Sequence, residues 1–213
     1  MENNVKVFWC EPNGKERRWL RRYISSDQDK CPSGQFGYHN AHHLLGDFDP
    51  KEAWPLHPTD DPLWPTACEA CQKPFSVNDE FQKFNRAIYV RPDTGDTFCL
   101  NEAPVGACWN ADWLIGKEPG DWNYGKTGSH FWTGPDGRSL IVRCPDGHDW
   151  NVDSRCSNCT KPDDETHFCW VRHGRPEDGT LHVDKNGNTC SAGAGSILTK
   201  NWHGFLHNGV LHT

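Results

Sequence analysis

The chain has 213 residues and a formal net charge of −7, from 29 acidic and 22 basic side chains. Leu, Ile, Val and Phe together number only 37, a share below the roughly 20% at which disorder becomes common in strongly charged chains. The 11 Trp, 11 Cys and 12 His nevertheless exclude a solvated tail, because such residues favour a fold held by aromatic contacts and metal ions. The acidic balance also argues against a protein that mainly coats nucleic acid.

The first predicted element is a basic helix. The segment Lys15–Ile24 (KERRWLRRYI) places its aromatic and aliphatic residues at i, i+1, i+4 and i+5, which favours one helix side facing the core. Four arginines flank that side, at Arg17, Arg18, Arg21 and Arg22. We expect them to lie in solvent; the alternative is a docking site for an acidic partner or a phosphate backbone.

The rest of the chain is predicted to form short strands and turns. Gly and Pro total 35 residues, so turns are frequent and long helices are not expected. Turn residues between β-favouring segments predict several hairpins, the last with Asn208-Gly209 at its turn. The hairpins cover 86–100, 130–144, 180–190 and 205–212. The predicted fold class is mainly β with short helices, an irregular α+β arrangement of small hairpins and zinc-knuckle or zinc-ribbon elements.

The first candidate metal site begins with Cys68-x2-Cys71 in TACEACQKPF. Two thiolates at this spacing can reach one tetrahedral zinc ion at about 2.3 Å. The other two ligands are sought upstream, where Cys31 precedes several histidines. We take Cys31 and His39 to complete a Cys3His site, with His42 as the next choice. The alternative is a tight turn with two reduced thiols.

The second candidate metal site lies in CPDGHDWNVDSRCSNC. Its Cys-x3-His followed by C-x2-C is similar to small zinc-ribbon modules with a CPxGHxW knuckle and a later CxxC. Its four candidate ligands are Cys144, His148, Cys156 and Cys159. One alternative is a hairpin with incidental thiols. Another is an overlapping ligand set: Cys159, His167, Cys169 and His173. The two sets exclude each other, because the Cys159 thiolate does not serve two mononuclear sites.

Both candidate sites offer four protein ligands. A closed site of this kind is structural, because a catalytic zinc keeps one position open. We therefore expect one or two structural Zn2+ ions, and the remaining thiols are expected to pack as small hydrophobes.

The chain divides by sequence into two regions. Residues 1–80 carry the predicted helix and the first zinc knuckle, and residues 81–213 are β-rich and carry the second zinc ribbon; one continuous domain is the alternative. No apolar run approaches the ~20 residues of a membrane helix, and the first residues lack the apolar region of a signal peptide. We expect folding in a reducing cytoplasm, where Cys residues are thiols and metal ligands.

Two common catalytic motifs are absent from the sequence. It contains no G-x-S-x-G elbow and no H-E-x-x-H, whereas residues 120–127 (GDWNYGKT) match the G-x4-G-K-[ST] spacing of a phosphate loop. The best enzymatic alternative is a zinc-supported nuclease of the ββα-metal kind, although no convincing series of His, Asn and His accompanies the C-x2-C pairs.

Several long motifs occur in order along the chain. They are PDGRSLIVRCPDGHDWNVDSRCSNCT, HFCWVRHG, VDKNGNTCSAGAGSI and WHGFLHNG, with CEACQKPF and RPDTGDTF as looser matches. With these motifs the segment 134–209 resembles an uncharacterised family of proteins encoded by tailed bacteriophages and prophages. The resemblance implies a phage protein and no particular activity.

The resemblance and the two closed candidate metal sites together favour a structural role. We expect a zinc-stabilised virion protein, a capsid accessory or decoration protein or a head-tail component. Its expected partners are capsid, portal or tail proteins in a multi-copy assembly, with no membrane or nucleic-acid partner, and it would fold in the host cytoplasm. The alternative is a phage-encoded zinc nuclease or DNA-binding regulatory protein.

Overall fold

The computed structural model describes residues 4–24, 29–34, 37–55, 62–76, 81–114, 134, 136–156, 158–161, 164, 167–184, 190 and 195–213. Regular structure in these residues is almost entirely β, with two 3-10 turns at Leu100–Glu102 and Asp112–Leu114. The prediction of a mainly β fold is confirmed. Among the described residues, no helix has the length and hydrophobicity needed to cross a membrane.

The strands are short except for three in the first half of the chain. They are β1 (Val5–Lys6), β2 (Phe8–Trp9), β3 (Glu11–Ile24), β4 (His39–Phe48), β5 (Phe81–Val90), β6 (Thr97–Cys99), β7 (Ala107–Asn110), β8 (Leu140–Arg143), β9 (Asp149–Asn151), β10 (Val171–His173), β11 (His182–Asp184), β12 (Ile197–Leu198), β13 (His203–His207) and β14 (Val210–His212).

The chain forms two compact units. The first comprises Met1–Glu11, Val90–Asp96 and Asn101–Thr213, and the second comprises Pro12–Tyr89 and Thr97–Leu100. The amino-terminal strands belong to the first unit because β1 pairs with β14 and β2 pairs with β7. The unit boundaries therefore follow strand pairing and do not coincide with one division between residues 80 and 81.

The first unit contains three small sheets and an apolar core. The strand orders are β1-β14-β13-β12, β2-β7-β8-β9 and β10-β11. Aliphatic side chains such as Leu140, Leu181 and Leu206 are fully buried in the core. Trp150 and Trp170 meet edge to face there, with ring centroids 5.4 Å apart. The few aliphatic residues of the chain are thus supplemented by Trp and Cys.

The second unit is built on the sheet β4-β3-β5-β6. The helix predicted over Lys15–Ile24 is wrong, because this segment lies in β3 and pairs with β4 from Glu16 to Ile24. A register shift between Arg18 and Trp19 marks a bulge. The local spacing favours a helix, but the antiparallel partner β4 supplies backbone hydrogen bonds along the segment, and the aromatic residues Trp19 and Tyr23 suit a pleated surface.

Successive side chains of β3 point to opposite sides of the sheet, so its four arginines lie on two different sides. Arg18 and Arg22 are 1% and 8% exposed, whereas Arg17 and Arg21 are only partly buried. The Arg18 guanidinium lies 4.9 Å from the ring centres of both Phe48 and Trp54. This side of the sheet is therefore covered largely by arginine and aromatic side chains, with Leu20 buried between the two arginines.

Two predicted hairpins are confirmed. Residues 86–100 fall in β5 and β6, and residues 205–212 form β13 and β14. At the second turn Asn208 and Gly209 have φ values of 47° and 72°, as a type I′ turn requires. A Cβ on Gly209 would also lie 2.3 Å from the Gly179 carbonyl oxygen, so only glycine fits this turn.

The other two hairpins differ from the prediction or extend beyond the described residues. Residues 140–143 form β8, which pairs with β7 and β9; the predicted partner, 130–133, lies outside the described residues. Strand β11 pairs with β10, and 185–189, which include most of its predicted partner, are also outside them.

Candidate metal centres

The first centre consists of Cys31, His39, Cys68 and Cys71, whose ligand atoms all lie within 4.8 Å of one another. Cys31 Sγ is 3.9 Å from Cys68 Sγ, and His39 Nδ1 is 3.2 Å from Cys71 Sγ. A tetrahedral zinc ion with bonds of about 2.3 Å places two sulfur ligands about 3.8 Å apart. The structure therefore brings together the four residues of the first predicted site, at a spacing that suits zinc.

A tight turn positions the two cysteines of the C-x2-C pair. Gln72 N donates to Cys68 O at 2.9 Å, and Cys68 N donates to Lys73 O at 2.8 Å. Gln72 adopts the left-handed region, with φ of 62°. This compact turn directs the Cys68 and Cys71 side chains to the same point.

The other two ligands come from a second turn and the start of β4. Cys31 N donates to Gly37 O at 2.8 Å, and His39 is the first residue of β4. A Cβ on Gly34 would lie 2.2 Å from the Tyr38 carbonyl oxygen. A glycine is therefore needed for the turn that brings Cys31 beside His39.

Charged neighbours orient His39. Its Nε2 lies 3.3 Å from Asp29 Oδ1, and Asp29 also pairs with Lys73. The hydrogen bond from Lys73 lowers the pKa of Asp29. A carboxylate on the outer ring nitrogen leaves Nδ1 free to face the thiols, as is typical of metal-binding histidines.

The polypeptide backbone favours a thiolate at Cys68. Burial by itself raises the pKa of Cys68, but hydrogen bonds from the backbone of Cys71 and Ala70 outweigh it and lower the pKa to about 6. A thiolate, not a thiol, is the metal ligand. The first centre is thus arranged to present an anionic sulfur at neutral pH.

The second centre consists of Cys159, His167, Cys169 and Cys190, whose ligand atoms also lie within 4.8 Å of one another. Cys169 Sγ is 3.7 Å from His167 Nε2. Lys161 N and Arg155 Nη1 donate to Cys159 Sγ at 3.4 and 3.7 Å. Burial opposes ionisation of Cys159, but these donors lower its pKa.

Cys156 lies beside the second centre but is not one of the four residues whose ligand atoms are grouped there. Its thiol interacts with those of Cys169 and Cys190, and Cys159 N donates to Cys156 O at 3.1 Å. Burial raises the pKa of Cys156, in contrast to Cys159. Cys159 is therefore the member of the C-x2-C pair that belongs to the second centre, and it is the more readily ionised of the two.

The ligand set predicted for the second site is corrected by the structure. Neither Cys144 nor His148 belongs to a metal-binding group among the described residues. Cys144 is buried in the apolar core, where burial raises its pKa to about 12. His148 is half-exposed and its Nδ1 lies 3.2 Å from Asp146 Oδ2. The two residues flank a tight turn between β8 and β9, in which Cys144 N donates to His148 O at 2.8 Å and Gly147 N donates to Cys144 O at 2.9 Å.

The overlapping alternative came closer to the observed group. Three of its members, Cys159, His167 and Cys169, belong to the observed group. The fourth, His173, does not, and its Nε2 lies 3.4 Å from Asp184 Oδ1. Cys190 takes that place and was missed, because a single cysteine far from the others in sequence carries no ligand spacing. Two sequence signals did point to this centre: the C-x2-C pair, through Cys159, and the His-x-Cys at 167–169.

The two centres offer soft sulfur and imidazole ligands in groups of four. Such a set favours zinc over hard cations, which prefer oxygen ligands. With four protein ligands, neither group leaves an open position for water or substrate.

Comparison with known proteins adds no family or relative: a scan against protein-family models and searches of curated proteins and of solved structures found no match to this chain.

Proposed function

We propose that this protein is a structural protein whose two units are each held together by one Zn2+ ion. The observation that carries the proposal is the pair of centres, each with four Cys and His ligand atoms within 4.8 Å of one another. Structural zinc contributes folding free energy directly. That contribution suits a chain with only 37 Leu, Ile, Val and Phe residues.

Each centre joins segments that strand pairing leaves unconnected. The first links the loop at Cys31 and the start of β4 to the turn at 68–71, and the second links the segment 159–169 to Cys190. A metal ion that closes such loops restricts the unfolded chain more than the folded one. Removing zinc is therefore expected to destabilise the fold rather than to abolish a reaction.

We propose further that the protein is a component of a tailed-phage virion, a capsid accessory or head-tail protein present in many copies. The motifs that resemble the phage and prophage family support this assignment, and two metal centres without an open coordination position favour a structural role over catalysis. Zinc-stabilised turns would give such a subunit rigidity without a large core.

Metal content tests the zinc proposal. Elemental mass spectrometry of the purified protein is expected to find two zinc ions per chain. The variants Cys68→Ser and Cys169→Ser are each expected to contain one zinc ion fewer. Cys144→Ala is the matched control, because this buried thiol belongs to neither centre, and it should retain both ions. Less than one zinc per chain, or unfolding that a chelator does not change, would contradict the proposal.

The composition of purified particles tests the virion role. Quantitative proteomics of particles from the phage or induced prophage that encodes the chain is expected to find it at a fixed ratio to the major capsid protein. If the protein is abundant in infected cells but missing from particles, the virion assignment fails. Nuclease activity or a regulatory function would then be the class to examine.

A further inference from the structure

One side of the second-unit sheet combines aromatic and basic side chains in a way that the zinc proposal does not use. We call it the open face and define it by Trp19 and Arg21 of β3, His42 of β4, and Phe84 and Arg86 of β5. The pairing of Arg21 with His42 places these two on the same side of the sheet. The opposite side of β3 carries the buried Arg18 and Arg22 described above.

Aromatic rings stand in an ordered array on the open face. The rings of Trp19 and Phe84 are stacked, with centroids 4.9 Å apart and an angle of 7° between planes. His42 meets Phe84 edge-on at 5.7 Å. Tyr38, just before β4, is 37% exposed. Rings that are only partly buried on a sheet surface offer flat apolar area to a ligand with flat groups of its own.

The positive charge on the open face is poorly neutralised. Arg21 lies over the rings of Tyr23 and Tyr38, at 5.4 and 5.8 Å from their centres, and its Nε has no hydrogen-bond partner in the described part of the chain. Arg86 is exposed, and no described carboxylate lies within ion-pair distance of it. Arg17, at the far end of β3, differs because Asp47 binds it at 2.8 Å.

A shallow pocket of about 350 Å³ lies between these groups. Its described lining contains no carboxylate and consists of two arginines, three rings and two amides: Arg21, Arg86, Tyr38, His42, Phe84, Asn40 and Gln82. Glu69 touches His42 at the margin. In a chain of net charge −7, a pocket with two arginines and no acid is complementary to an anion.

Three chemical groups meet here: guanidinium groups for phosphate, aromatic faces for stacking, and amides for hydrogen bonds to base edges. Single-stranded nucleic acid carries a partner for each of these groups: phosphates for arginine, and bases whose faces stack on aromatic side chains and whose edges form hydrogen bonds. A duplex keeps its bases stacked inside. An acidic peptide would use the arginines but not the array of rings.

We propose that the open face binds single-stranded nucleic acid, with its arginines on the phosphates and its aromatic rings against the bases. Binding of this type tolerates many sequences, since every base has a flat face. It extends beyond the structural role proposed above and does not depend on it. The acidic composition that argues against a nucleic-acid coat describes the whole chain, whereas the charge that matters here is local.

Fluorescence anisotropy with a short fluorescein-labelled oligothymidylate tests the proposal on the zinc-loaded, full-length protein. We expect saturable binding at about 50 mM salt that weakens steeply as salt is raised. Arg86→Glu is expected to weaken it about tenfold or more and to flatten the salt dependence. Phe84→Ala is expected to weaken it about fivefold or more, the loss of one stacked base.

Arg175→Glu is the matched control, since Arg175 is exposed in the first unit and the charge change is the same; it should bind like the unchanged protein. Zinc content and circular dichroism identify a variant that fails to fold. If Phe84→Ala fails to fold, Arg86→Glu still tests the proposal, because Arg86 is exposed. No binding at low salt overturns the proposal. So does equal affinity for a duplex of the same length, or equal competition by an acidic peptide, which would assign the face to a protein partner.

Discussion

At the scale of single residues, Arg172 is a buried charge of the first unit that contacts two carboxylates. Its side chain is 3% exposed, its Nε donates to Asp153 at 2.9 Å, and its two terminal nitrogens contact Asp136 at 2.7 and 3.0 Å. Burial raises the pKa of Asp153 despite this contact. Burial also opposes ionisation of Asp136, but hydrogen bonds from Arg172 and Arg138 outweigh it and hold its pKa well below the usual range.

We therefore expect Asp136→Asn to lower the free energy of unfolding by about 2 kcal/mol at pH 7. This is less than the ~3–5 kcal/mol of a fully buried broken pair, because Asp153 still compensates Arg172. A carboxyl with a depressed pKa stabilises above its unfolded pKa of about 3.9 and loses that effect as pH falls. The difference in free energy of unfolding between the unchanged protein and Asp136→Asn, measured by urea unfolding, should thus narrow below about pH 4.

Asp178→Asn is the control for this prediction, because Asp178 is exposed and contacts only Thr180 among the hydrogen bonds described. A pH-independent gap for Asp136→Asn would mean that the lost stability comes from packing and not from the ionised carboxylate.

At the scale of elements, strand β3 shows how one segment serves two surfaces. Arg18 donates to the carbonyl oxygens of Glu52 and Ala53 at 2.9 and 3.2 Å and to Glu16 at 2.6 Å. Arg22 donates to Pro65 O and Ser76 O, both at 2.7 Å. These buried guanidinium groups hold the loops that follow β4, whereas the arginines on the other side of the strand face the open surface.

Arg18→Lys is expected to destabilise the protein by about 2 kcal/mol, because an ammonium group cannot replace a planar fork that lies between two rings and donates to several acceptors. Arg17→Lys, one position earlier in the same strand, should change stability by less than about 0.5 kcal/mol, since its pair with Asp47 is at the surface. Thermal unfolding of the two variants side by side measures the difference, and equal losses would contradict the assigned orientation of β3.

At the scale of the whole molecule, the two units depend on different interactions. The first has a cluster of fully buried aliphatic and aromatic side chains across its sheets. The second buries few aliphatic side chains, chiefly Leu20 and Ile88, and combines buried arginines with the first metal centre. Removing metal should therefore affect the second unit more widely than the first.

Hydrogen–deuterium exchange in the presence of a strong chelator checks this expectation. We expect faster exchange in 29–48 and 62–76, and locally in 156–172, because these segments carry the ligands. Strands β8, β13 and β14 should stay protected by the apolar core. Uniform deprotection of both units would instead show that they unfold as one cooperative body.

The mainly β class, two of the hairpin turns and the four residues that meet in the first centre were predictable from the sequence. They depend on local signals: turn residues with special backbone angles, the C-x2-C spacing, and a nearby cysteine and histidine. The remaining features depend on contacts between segments that are distant in sequence. Cys190 belongs to the second centre because folding brings it beside Cys159 and Cys169. Cys144, which was predicted as a ligand, is buried in the apolar core instead. Pairing with β4 made Lys15–Ile24 a strand, and the strand period then divided its arginines between a buried surface and an open one.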